Sequence, residues 1–450
     1  MYSDNFMHSP SNISTPNILS PGISAPGISA ALDPSGINTV PGSADDGWVA
    51  PPTVTLKDGT RLQLFKDGEA MLAAFKAIER ARFRICLEVY ILRNDGTGQA
   101  FSRVMCEKAR SGVLVYFIYD CFGCSGARRL IADMKAAGVK LAEFHPTRPW
   151  ECKFGYRPWS RDHRKILLID DDIAGIGGLN IGDEYGGDWV THTGRPPRDV
   201  LRDTGIGIVG PSARPLLPCF AATWRYVHTG GRIRRAEFLH NLIIPPASKG
   251  NRVGKQKRID SGTVASVGEL GPIGYLGSVP TLASPLRPFL YSLLSRSSKT
   301  IRLIMAYFAP DDDLVDRLCD AARRGVDVRL IFASSSDHPI MTVAARSFYE
   351  KFLEAGVRVF EREGAMLHAK SLSIDGRWSL VGSTNLDYRS IEFNLEISCL
   401  IDSTEFTSQI DKMMDHDIRF SSEFDSETWR KRAMIDRLVQ WTVSRLRYLL

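Results

Sequence analysis

Apolar and polar positions along this chain follow two rhythms. Four short runs, Ile85 to Leu92, Val113 to Tyr119, Ile301 to Phe308 and Val326 to Phe332, are nearly continuous in apolar residues, as strands covered on both faces are. Each is followed by a stretch with helical spacing, and these stretches stop at Gly112, Gly138, Gly325 and Gly356, where a left-handed residue costs least. Strand and helix alternate twice over in the same order. That pattern predicts an α/β fold: two duplicated α/β/α sandwich halves with mixed, largely parallel sheets, spanning residues 51–230 and 271–450. The first fifty residues have neither rhythm. They are crowded with Ser, Pro, Gly, Asn and Ile, repeat PGISAPGISA and hold no Lys, Arg or Glu, so residues 1–50 are expected to be disordered. Between the halves, residues 231–270 set Arg232, Arg234, Arg235, Lys249, Arg252, Lys255, Lys257 and Arg258 among Pro, Gly and Ser, which reads as a basic linker or flap. Near the end, Ile435, Leu438, Val439, Thr442, Leu446 and Leu449 share one helical face opposite Arg437, Gln440 and Arg447. Such a helix either lies on a lipid surface or packs on its own domain.

Charge sharpens the picture. The formal net charge is +6, and Asp4, Asp33, Asp45 and Asp46 take four negative charges into the tail, which leaves +10 on the rest. Anionic partners follow, and phospholipid and nucleic acid both present rows of phosphate. No apolar run has the length of a membrane-spanning helix, and no positive start with a compact apolar stretch marks a secretory signal. A soluble or peripherally attached protein is expected. The eight cysteines lie scattered within the expected strands and helices, as small buried residues do in a reducing compartment. The lone Cys121-x-x-Cys124 has no second pair to complete a zinc site, so no metal is assigned.

The two halves share more than element order. His163, Lys165, Asp170, Gly177 and Asn180 recur as His368, Lys370, Asp375, Gly382 and Asn385, with offsets from the histidine of 2, 7, 14 and 17 in both places. In HRKILLID and HAKSLSID the His and Lys stand two apart at the start of a buried strand, so both side chains face one side. If the halves meet about a pseudo-two-fold axis, two HxK pairs share one cavity. Two histidines across one phosphodiester can then divide the labour, a neutral imidazole attacking phosphorus and a protonated one supplying the leaving alcohol with its proton. Lys165 and Lys370, with Asn180 and Asn385, would hold the non-bridging oxygens. Each ring needs a partner on its second nitrogen, and Asp203 and Glu396 stand at matching places on the next strand, with the pairing open. Asp170 and Asp375 complete the two motifs and are counted with the catalytic set, although their parity and strand-end positions point to tying turn backbone. Ser383 adds a hydroxyl where the first half has Gly178.

With these motifs in place, the chain from residue 55 onward resembles the phospholipase D superfamily. HRKILLIDDDIAGIGGLNIGDEY and LHAKSLSIDGRWSLVGSTNLDYRSIEFNLE carry the likeness. LEVYIL with Glu88 and Tyr90, YDCFGCSG with Asp120 and Gly123, and AYFAPDD are similar to the bacterial cardiolipin synthase branch. The resemblance implies a site at the interface of two α/β/α halves, no cofactor, and transfer of a phosphatidyl group onto phosphatidylglycerol. It implies His163 as nucleophile and His368 as the acid; with Lys165, Asp170, Lys370 and Asp375 they make up the expected catalytic set, and Asn180, Ser383 and Asn385 are expected at the phosphate. Phosphatidylethanolamine is a second candidate donor, and hydrolysis of phospholipid or nucleic-acid phosphodiesters is the alternative reaction. Expected partners are a phospholipid and an anionic membrane surface rather than nucleic acid, with the enzyme on the cytoplasmic face of the cell membrane. The segment ahead of the first motif interleaves Trp150, Phe154, Tyr156 and Trp159 with Arg148, Lys153, Arg157 and Arg161, which suits a lipid interface, stacked single-stranded bases or ordinary packing.

Overall fold

A computed structural model describes residues 47–148, 159–191, 200–230, 243–244, 272–278 and 286–449. Residues 1–46, nearly all of the basic segment 231–270 and residues 149–158 of the aromatic loop lie outside the described residues, and with them the expectations for those stretches.

The first half contributes β1 (Val54–Thr55), β2 (Arg61–Lys66), β3 (Arg84–Val89), β4 (Leu114–Asp120), β5 (Lys140–Phe144), β6 (Ile166–Ile169), β7 (Ile173–Gly177) and β8 (Thr204–Val209). They form one sheet in the order β1-β2-β8-β7-β6-β3-β4-β5. The second half contributes β9 (Ile243–Ile244), β10 (Ile273–Ser278), β11 (Thr300–Met305), β12 (Phe308–Ala309), β13 (Asp327–Ala333), β14 (Arg358–Arg362), β15 (Lys370–Ile374), β16 (Trp378–Gly382), β17 (Leu386–Asp387), β18 (Glu396–Asp402) and β19 (Ser421–Phe424). Nine of these make the sheet β19-β14-β13-β11-β15-β16-β18-β10-β9, and β12 pairs with β17 apart from it. Without the added edge strands, β10-β18-β16-β15-β11-β13-β14 repeats β2-β8-β7-β6-β3-β4-β5 strand for strand. The duplication read from the motifs therefore extends to the whole topology.

The mixed α/β class holds, but the expected predominance of parallel pairing needs correction. Parallel pairs join β3, β4 and β5 in one sheet and β11, β13 and β14 in the other. The remaining pairs in both large sheets, including those of the motif strands β6 and β15, are antiparallel. The reason lies in the connections. Helices Gly96–Arg110 and Arg128–Ala136 carry the chain back over the sheet between β3, β4 and β5, whereas β6 turns into β7 through three aspartates, Asp170 to Asp172. Asp170 and Asp171 take φ of 48° and 68°, and Asp375 takes 54° in the matching hairpin. Aspartate is among the few side-chain-bearing residues that enter this left-handed region readily.

Three large apolar cores organise the layers. The outer face of the first sheet packs under the helices of its own half, with Ile85, Leu87, Phe101, Met105, Phe117 and Met134 at the centre. The outer face of the second sheet does likewise with Leu290, Leu294, Leu303, Leu318, Phe332 and Phe352. The third core is shared: Ile166, Leu168, Ile206 and Phe220 of the first half meet Ile304, Val381, Cys399, Phe406 and Met413 of the second. A continuous core across both halves makes them one folding body. Where the halves meet near the motifs, Asp162 bridges to Leu395 and Arg202 to Leu367. The amide of His163 donates to the Leu395 carbonyl at 2.9 Å, and that of His368 to the Arg202 carbonyl at 2.8 Å. Equivalent segments thus exchange equivalent contacts, the signature of a two-fold relation.

Candidate active site

Both HxK pairs stand where the first residues of β6 and β15 reach this inter-half seam, and each histidine takes its partner from the other half. The carboxylate of Glu396 lies 3.0 Å from His163 Nδ1, and that of Asp203 lies 2.7 Å from His368 Nδ1. The pairing left open by the sequence is therefore crossed. With each Nδ1 engaged, the reactive nitrogen of both rings is Nε2, on the far side of the ring. Ring edges fix the planes further: Tyr90 sits 5.0 Å from His163, and Tyr185 and Tyr307 sit 5.6 and 6.4 Å from His368, centre to centre. Lys165 Nζ donates to the His163 carbonyl at 2.7 Å, and Lys370 Nζ donates to the His368 carbonyl. These bonds anchor the ammonium groups beside the rings.

The electrostatics of the two pairs differ. Burial, then the positive charges of Lys165, Lys370 and His368, hold His163 well below the ordinary imidazole range. Burial pushes Lys165 down to about 7 and Lys370 to about 8. Burial raises Glu396 to about 8, a shift only partly offset by Lys165 and a hydrogen bond from Ser383. Burial would also raise Asp203, yet the charges of His368 and Lys370 hold it below the usual carboxylate range. His368 is itself lowered by burial and Lys370, with Asp203 opposing. One ring thus faces a committed anion, and the other faces a carboxyl that keeps its proton near neutrality.

Three residues of the expected site are engaged elsewhere than at a phosphate. Asp170 and Asp375, counted with the catalytic set, are held by turn backbone, as their parity and strand-end positions point to. The Asp170 carboxylate accepts the backbone amides of Arg82, Phe83 and Arg84 at 2.8, 2.7 and 2.9 Å, and the Asp375 carboxylate accepts those of Ser298, Lys299 and Thr300 at 3.0, 2.8 and 3.0 Å. Both sit at the ends of β6 and β15 away from the histidines, clamping the loop that enters the neighbouring strand. Ser383 is not free to bind phosphate either. Its hydroxyl donates to Glu396 and accepts the Ile397 amide at 3.0 Å, so it positions the carboxyl that holds His163. Gly178, its counterpart, cannot carry a side chain: a Cβ there would stand 2.3 Å from Asp203 Oδ1. The asymmetry of the repeat makes room for the shorter, anionic partner of His368.

The two asparagines are buried, but unequally committed. Asn180 accepts the Ile91 amide at 3.1 Å and donates to the Tyr185 hydroxyl at 2.9 Å. Asn385 keeps a buried Oδ1 without a hydrogen-bond partner among the described residues. Sequence reasoning missed the charges behind the site. Arg164, between His163 and Lys165, donates to Thr223 Oγ1 at 3.0 Å, to the Glu396 carbonyl at 3.3 Å and to the Ser278 carbonyl at 3.4 Å, and lies 3.9 Å from buried Glu88. Arg202 is 1% exposed and donates twice to Asp417, at 2.8 and 2.7 Å, while Arg362 donates to the same carboxylate at 2.9 Å. A charged residue where the repeat has Leu395 was the available signal for Arg202, and opposite parity within HRK was the signal for Arg164.

Comparison with known proteins agrees with this arrangement. Residues 290–418 match the family described as cardiolipin synthase, PLD-like domain. A cardiolipin synthase of Geobacillus kaustophilus is 32% identical over 383 residues, which cover 84% of this chain and 70% of that one. Cardiolipin synthase 2 of Bacillus cereus is 29% identical over 382 residues, covering 84% and 68%. Among solved structures, phosphatidylserine synthase of Haemophilus influenzae superposes with a TM-score of 0.63 at 13% identity, covering 89% of this chain and 97% of its own, a likeness of fold. Paired HxK strands, a crossed set of carboxylates and relatives over most of its length together place this chain in the cardiolipin synthase family of the phospholipase D superfamily, an enzyme family.

Proposed function

We propose that this enzyme makes cardiolipin from two molecules of phosphatidylglycerol at an anionic membrane surface, through a phosphohistidine on His163. His163 Nε2 attacks the phosphorus of the first lipid, an N–P bond forms as the P–O bond to the headgroup glycerol breaks, and His368 gives that oxygen its proton. Free glycerol leaves. The headgroup hydroxyl of the second phosphatidylglycerol then surrenders its proton to His368, its oxygen forms the new P–O bond, and His163 departs neutral. Lys165 and Lys370 face the non-bridging oxygens, where negative charge gathers.

The observation that carries this reading is the crossed, unequal pair of histidine–carboxylate contacts at one seam. Glu396, raised to about 8, leaves His163 neutral as a nucleophile must be, while the anionic Asp203 favours the protonated form of His368. The test is incubation of the purified chain with phosphatidylglycerol vesicles and mass analysis of the products. Cardiolipin and glycerol in equal amounts are expected, and His163→Ala should lower the rate by about 10³-fold or more. Phosphatidic acid as the sole product would replace transfer with hydrolysis, and full activity of His163→Ala would remove the nucleophile.

A further inference from the structure

The C-terminal helix is packed with its apolar face outward. Among the described residues, fourteen large hydrophobic side chains are exposed, and seven of them fall between Met434 and Tyr448. Within helix Met434–Leu446 the buried positions are Val443 and the polar Gln440. Val443 joins Met341 and Ala344 of helix Pro339–Arg346, Gln440 accepts from Arg432 at 3.1 Å, and the buried Arg447 donates to Asp312 at 2.7 Å. Ile435 is left 63% exposed, Leu438 57%, Trp441 58% and Leu446 47%. A helix held to its domain by a polar flank and one valine, with its broad apolar face in water, reverses the usual arrangement. Apolar faces of this kind mark a surface that something covers.

We infer that this face is where the enzyme docks on the bilayer, its Trp, Leu and Ile side chains entering the headgroup–acyl boundary of an anionic leaflet. Three observations commit it to lipid. The first is charge: from Glu427 to Leu449 the chain carries six Lys or Arg and two acids. Arg430, Lys431, Arg432 and Arg447 are ion-paired, while Arg437 and Arg445 form no ion pair among the described residues and can meet an anionic surface. The second is the pairing of Trp441 with Arg445, whose guanidinium lies 5.6 Å from the indole centre, an aromatic and a cation set together on the exposed face. The third is position. The helix rests on Pro339–Arg346, which packs on β12, one residue past the Tyr307 that edges His368. Beyond the helix, Tyr448 packs edge-on to Tyr388 at 5.3 Å, and Arg389 of the same short helix donates to the backbone of Trp159, itself 60% exposed and four residues from His163. The apolar face is therefore tied on both sides to the segments that carry the two histidines. Thirteen residues of helix lying flat offer roughly 20 Å of contact beside the site, so a lipid headgroup at that depth has a short path to it.

This inference rests on the proposed lipid reaction, and its test separates the two. Full-length protein and the double variant Leu438→Glu, Trp441→Glu are sedimented with phosphatidylglycerol-rich and with phosphatidylcholine vesicles, and both are assayed on vesicles and on a short-chain phosphatidylglycerol below its micelle concentration. The altered side chains are exposed, and thermal melting checks that the fold is kept. The wild type should bind phosphatidylglycerol vesicles at least tenfold more tightly than the double variant. The two should turn over the monomeric substrate equally, and the variant should lose activity on vesicles. Equal vesicle binding, failure of the wild type to bind, or a wild-type dimer that the variant dissolves would overturn the membrane assignment, the last in favour of a second copy. Loss of turnover on both substrates by the wild type would instead strike the proposed reaction.

Discussion

At the scale of single residues, two imidazoles in similar burial are set apart by the carboxyl each leans on. Burial lowers Lys165 to about 7 and Lys370 to about 8, so the unliganded enzyme loses its cationic heads as pH rises through that window. Because kcat/KM reports the free enzyme, it should already decline as the His368 acid, lowered from the ordinary imidazole value by burial and Lys370, gives up its proton. It should decline further between about 7 and 8 as the lysines lose their charge. His163 stays neutral well below the ordinary imidazole value of 6.5, so its acid limb should lie under that value. A profile flat to pH 10 would contradict this, and titration of kcat/KM on a monomeric substrate is the check. Gly178 gives a sharper case. A hydroxymethyl in Gly178→Ser would collide with Asp203 and release His368, a supporting contact of the kind whose loss costs about 10 to 100-fold in activity. Steady-state kinetics should show that loss in kcat, accompanied by a lowered melting temperature from the overpacked buried site. At this scale the HxK pairs and both carboxyl partners were legible, because strand parity and repeat offsets point straight at them. Their crossing was not, since each acid serves the half it does not belong to, and neither was the dedication of Ser383 to Glu396.

At the scale of elements, the last letter of each motif acts on the architecture. Asp170 and Asp375 each gather three backbone amides from the loop entering β3 or β11 while holding φ near 50°. Replacing either by Ala should lower stability by about 2 kcal/mol, the scale of hydrogen bonds to a charged group. Urea unfolding measures it, and kcat of the folded fraction should stay within a few fold; a catalytic role would reverse that order. The βαβ units were legible from the sequence, since buried parallel strands read as continuous apolar runs closed by glycine-stopped helices. The antiparallel remainder was not, because β6 and β7 are equally apolar on both faces, and only the left-handed Asp turn reveals a hairpin between them. The C-terminal helix was legible as amphipathic, but the face it turns to its domain is set by Gln440 and Arg447, which are buried and bonded to Arg432 and Asp312, and no periodicity shows that.

At the scale of the molecule, the two halves are one catalytic unit. They share a core, they exchange histidine partners, and Arg202 of the first half is locked to Asp417 of the second with both groups buried. Arg202→Met would leave Asp417 with Arg362 alone and should cost about 3 to 5 kcal/mol, as removing one partner of a buried ion pair does. Differential scanning calorimetry would show a single transition moved down; two separated transitions would mean that the halves fold apart. The central claim is that this joined seam forms a covalent phosphatidyl enzyme on the first histidine. Rapid acid-free quenching of wild-type enzyme with phosphatidylglycerol, followed by peptide mass analysis, tests it most directly: a phosphatidyl adduct on His163, absent in His163→Ala, is predicted, and an adduct on His368 would contradict the account.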